Sequence, residues 1–137
     1  MTQTISHHSA LIYTMVIISA ADGAMSDVEL EEIGGIVKKF PIFDDFDQNR
    51  LVSVAEECAE ILDEDGGLEA AIGLIVEAIP EKLIETAYAV AVEVAVADHH
   101  LSQEELRLLE MLRHAFQLDR LYAGAIERSA RARHLTL

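Results

Sequence analysis

The sequence predicts an all-α fold: a compact bundle of about seven helices with an internal pseudo-two-fold repeat. First, the stretch Ala21-Asp22-Gly23-Ala24-Met25-Ser26-Asp27-Val28-Glu29-Leu30 returns as Ala97-Asp98-His99-His100-Leu101-Ser102-Gln103-Glu104-Glu105-Leu106. Asp22 and Asp98 stand 76 positions apart (98 − 22), and the same offset joins Ser26 to Ser102, Glu29 to Glu105, Leu30 to Leu106 and Phe40 to Phe116. Second, each copy carries Ser-x-x-Glu before an amphipathic segment. This is the capping-box pattern, in which the hydroxyl accepts from an orphan first-turn amide and the carboxylate reaches back to the cap's own N–H. Third, 51% of the residues are apolar but only 5% are aromatic, so the core must be built from Ala, Val, Ile and Leu, which suits closely packed helices. At 137 residues the chain reads as one domain, residues 1–137, able to bury its own core. Its repeat-like halves lie around 10–40 and 86–116.

The elements follow in order. Residues through His8 read as a loose end, with Ser6 or Ser9 able to cap a helix to about Ala21. That helix is apolar nearly all round, as befits the centre of a bundle. From Ser26 a second helix sets Leu30, Ile33, Ile36, Val37 and Phe40 on one face until Pro41 stops it. Gly34 and Gly35 inside it cost about 1 kcal/mol each against Ala, and they predict close approach by a neighbouring helix. After a connection at Phe43–Asp47, a third helix carries the stripe Leu51, Val54, Ala55, Cys58, Ile61 and Leu62. The acidic turn Asp63-Glu64-Asp65-Gly66-Gly67 ends it, and a fourth helix buries Leu68, Ala71, Ile72, Ile75 and Ile79. Pro80 suits the first turn of the fifth helix. The alternating Val and Ala of residues 87–97 could pass for a strand, but they occupy the repeat position of Leu11 to Ala21 and lack a partner strand. Glu93 is the one charge in that run. It calls for an Arg or a cation if it is buried, and its expected place is a wet edge. The sixth helix turns Leu106, Leu109, Leu112 and Phe116 inward. A seventh starts near Asp119, buries Leu121, Tyr122 and Ala125, and frays beyond Arg131.

Both acidic loops are unusual. Asp22 and Asp98 each follow an apolar helix, where the negative end of the macrodipole opposes a carboxylate by about 0.3–1 kcal/mol. Two compensations are open: an Asx-turn, or a divalent cation held by Asp22, Glu29, Asp98 and Glu105, since hard ions favour carboxylate oxygen. An EF-hand is excluded. Its first and third ligand positions would be Ile18 and Ala20 in one copy and Val94 and Val96 in the other, and His99 replaces the turn glycine. Asp98, His99 and Ser102 are the residue types of a hydrolytic triad, but Ser102 is committed to capping and no nucleophile turn surrounds it. His99, His100 and His114 lack zinc-ligand spacing. No nucleotide-binding loop occurs.

An all-helical chain with an Ala-Asp-Gly loop before Ser-x-x-Glu-Leu, repeated near the C-terminus, resembles the tellurite-resistance TerB-like family. The resemblance runs from about Leu11 to Phe116. It implies a bundle of about seven helices, a role in stress response and tellurite resistance without enzymatic activity, and a divalent cation (calcium or magnesium) at positions like Asp22, Glu29, Asp98 and Glu105.

A net charge of −15 and a pI near 4.6 exclude nucleic acid and anionic lipid as natural partners. The expected partner is a protein or a second copy of the chain, and the rival to an ion-binding module is an acidic protein-interaction domain. The lone Cys58 suits a reducing cytoplasm. No basic n-region opens the sequence, and the apolar run from Ala10 to Ala21 is shorter than the roughly 20 residues a membrane span needs. A soluble, cytoplasmic protein is expected, with no membrane insertion.

Overall fold

The computed structural model describes residues 4–21, 23, 25–97 and 101–137. These form seven α-helices: α1 (His7–Ser19), α2 (Asp27–Lys39), α3 (Leu51–Leu62), α4 (Gly67–Ala78), α5 (Ile84–Ala97), α6 (Gln103–Ala115) and α7 (Arg120–Arg133). Short 3-10 turns at Pro41–Phe43, Gln48–Arg50 and Glu81–Leu83 fill the longer connections. No strand occurs among the described residues, and the Val/Ala run that mimics one is helical in α5.

Every residue of α1 from Ser9 to Ser19 is buried. With no polar face to offer water, such a helix is stable only when surrounded, and α3, α4 and α5 pack around it. Ser6 starts it, its Oγ accepting from the Ser9 amide at 3.1 Å. α5 is nearly as apolar and lies between α1 and α7, its two broadest contacts.

Several expectations are corrected by long-range contacts. His7 and His8 belong to α1 and are not a loose end. His8 Nε2 donates to the Ile42 carbonyl at 2.9 Å and lies 3.1 Å from Asp45 Oδ1, with its ring against Phe43 and Phe46. α1 stops at Ser19, two residues short of Ala21. Pro80 opens the 3-10 turn before α5, not the helix itself. Among the described residues no neighbour presses on the α2 glycines: a Cβ at Gly35 would meet nothing within 4 Å, and one at Gly34 would make ordinary contact with Leu51 at 3.5 Å. The glycine that packing requires is Gly67, where a Cβ would sit 2.0 Å from the Ile61 carbonyl oxygen. α7 continues to Arg133, and it buries Ala123 and Ala130 while leaving Leu121 and Tyr122 exposed.

Candidate functional site

The capping boxes at both repeats are formed. Ser26 Oγ accepts from the Glu29 amide at 3.2 Å while Glu29 Oε1 accepts from the Ser26 amide at 2.9 Å. Ser102 and Glu105 repeat the exchange at 3.1 and 3.0 Å. Their surroundings differ: Glu105 is buried, whereas Glu29 is half-exposed. Of the four acids expected to hold a cation, Glu29 and Glu105 therefore each commit one oxygen to a cap, and Asp22 and Asp98 lie outside the described residues. No group of three or more His, Cys, Asp or Glu side chains converges among the described residues. Of the triad types, Ser102 is a cap, while Asp98 and His99 again fall outside the description, as does His100. His114 is exposed beside Glu110 and Arg113.

The first loop leads into a groove of about 830 Å³. Ala20, Ala21 and Met25 form one wall, Ala55 and Leu62 of α3 another, and Leu108 and Met111 of α6 a third. Glu56, Asp63, Glu104 and Arg107 also line it. A second cavity of about 500 Å³ lies among α5, α6 and α7. Val16, Ala20, Met25 and Leu30 line the first, and Val92, Val96, Leu101 and Leu106, each 76 positions on (92 − 16), line the second. Leu106, expected in the core, is 43% exposed because it faces this opening. Sequence reasoning missed both cavities, although the matched leucines of the two repeats were a signal for them.

The model for the family described as tellurite resistance protein TerB matches residues 8–127. The chain belongs to the TerB family. The match takes in both acidic motifs and both cavities of this TerB-family chain, except for Arg131, His134 and Leu135 at the far end of the second. Nothing among the curated proteins or the solved structures matches it. No helix among the described residues is long and apolar enough to cross a membrane.

The end of α7, outside the family match, holds an ion-pair cluster. Glu93, the single charge in the apolar run, is not on a free wet edge: its side chain is 15% exposed and binds the Arg133 guanidinium, with His134 Nε2 at 3.1 Å. Nearby, Tyr88 donates to Glu127 Oε2 at 2.5 Å. Burial and this carboxylate acceptor push the Tyr88 phenol well above its ordinary range.

Proposed function

We propose that the chain is a non-enzymatic, cytoplasmic binding module of tellurite and stress resistance, and that its acidic loops take a divalent cation. One observation supports this reading. Ala21, Gly23 and Met25 of the first loop and Glu104 of the first turn of α6 line a single groove, so the two repeated motifs border common space. The acids of the two motifs would repel one another across that space, and a hard cation relieves such repulsion. The donor set of Asp22, Glu29, Asp98 and Glu105 is all carboxylate oxygen, which fits calcium or magnesium better than zinc. Glu29 uses only Oε1 in its cap. His99 in place of glycine makes the second loop the weaker half.

The test is calorimetric titration of calcium, magnesium and zinc into chelator-stripped protein, with thermal unfolding in parallel. Calcium should release or absorb heat and raise the melting temperature, because a ligand selective for the folded state adds about 2.7 kcal/mol at a hundredfold excess over Kd. Asp22→Asn should weaken binding more than Asp98→Asn. No heat and no thermal shift with any ion would refute the proposal.

A further inference from the structure

Two surfaces of this chain are left unused by its own fold, and their chemistry is opposite. The first is the outer face of α7. With positions 123, 126 and 130 turned inward, positions 121, 125, 128 and 132 point outward by helical geometry. These are Leu121, Ala125, Arg128 and Ala132, all exposed, with Leu121 at 73% and adjacent Tyr122 at 52%. α7 is also the basic element of an acidic chain, carrying Arg120, Arg128, Arg131 and Arg133 against one acid, Glu127. Arg133 is held by Glu93, but Arg120 and Arg128 make no ion pair among the described residues.

The second surface is the 830 Å³ groove, whose lining is mainly apolar. Three acids, Glu56, Asp63 and Glu104, stand there against one base, Arg107, and none of the three is ion-paired among the described residues. Val52 on the same groove is 49% exposed.

We propose that the groove receives α7 of a second copy of this chain, with Leu121 and Tyr122 on the apolar floor and Arg120 and Arg128 against Glu56, Asp63 and Glu104. The helix cannot serve its own groove, because Tyr88–Glu127 and Glu93–Arg133 tie it to its own α5. Two copies of charge −15 repel at long range, but beyond about 8 Å that repulsion is screened at physiological ionic strength. The local basic-to-acidic match then decides the encounter. A 14-residue helix is about 21 Å long, so the contact falls at the small end of specific interfaces, below about 1,200 Å². It is a weak, concentration-dependent association.

Sedimentation equilibrium of the full chain tests this, run with chelator present so that the outcome is independent of cation binding. The average mass should rise above 15.1 kDa with protein concentration. Leu121→Asp and Val52→Asp, at positions too exposed to damage the core, should restore the monomer. Glu104→Arg and Arg128→Glu should each weaken association by about tenfold or more. Mixing those last two variants should recover it, since the intact helix of one then meets the intact groove of the other. A chain that stays monomeric, an association that none of these substitutions changes, or a mixture no stronger than its components would overturn the proposal.

Discussion

Ser26 and Ser102 perform one task in two environments. Each closes a reciprocal exchange with the glutamate three residues on, so Ser→Ala at either position should cost about 0.5–2 kcal/mol, the usual loss for a helix cap. The two losses should not be equal. The Ser26–Glu29 exchange is exposed to water whereas that of Ser102 with Glu105 is part-buried, so water makes good the lost hydroxyl less well at the second cap. Denaturant midpoints should therefore fall further for Ser102→Ala than for Ser26→Ala; equal midpoints would remove the distinction. These caps were legible in the sequence because donor and acceptor lie three residues apart. Glu93 was not, because Arg133 and His134 lie 40 and 41 residues away and only folding brings them together. The signals were a lone acid in an apolar run and a cluster of bases near the chain's end.

At the scale of elements, all seven helices were readable from capping residues, stripe periodicity and the stops at Pro41 and Gly66-Gly67, all of which act within a few residues. What packs against a helix is set elsewhere in the chain, and there the sequence misleads. A glycine pair in mid-helix looks like a contact point, yet a Cβ at Gly35 would touch none of the described residues. Gly66 and Gly67 look like an ordinary turn, yet Gly66 has φ +71° and Gly67 packs directly on the end of α3. Opposite outcomes follow for the same substitution. Gly35→Ala should stabilise by up to about 1 kcal/mol, because it removes the entropic cost of glycine in a helix. Gly67→Ala should destabilise by about 1–3 kcal/mol or more, the range for overpacking, since the new methyl group would collide with backbone. Urea unfolding of the two variants decides; a stable Gly67→Ala would mean that α3 and α4 can separate at little cost. His8 and Leu121 teach the same lesson. One is fixed by Ile42 and Asp45, far along the chain, and the other points away from the bundle because Ala123, Ile126 and Ala130 set the inward face of α7.

Across the whole molecule, the bundle centred on α1 keeps protons that an unfolded chain would release. Burial raises the Cys58 thiol from 9.0 to about 12. Burial, with Glu57 alongside, raises the Tyr13 phenol from 10.0 to about 12, and Tyr88 is shifted in the same direction. Between the unfolded and folded values the unfolded chain binds fewer protons than the folded one, so stability declines as pH rises. The contribution is fully present below about pH 9 and lost on the way to about pH 12. Cys58 begins to titrate in the unfolded chain before the tyrosines do, so it dominates the start of the decline. The slope for one proton approaches about 1.4 kcal/mol per pH unit. Cys58→Ala should flatten the pH dependence between 9 and 10 and leave the steeper, tyrosine-driven loss above 10 in place. Urea midpoints measured in steps from pH 8 to 11 for both proteins would show it. A wild-type midpoint that did not move over that range would mean that Cys58 and Tyr13 are open to solvent, and that the centre of the bundle is not packed as described.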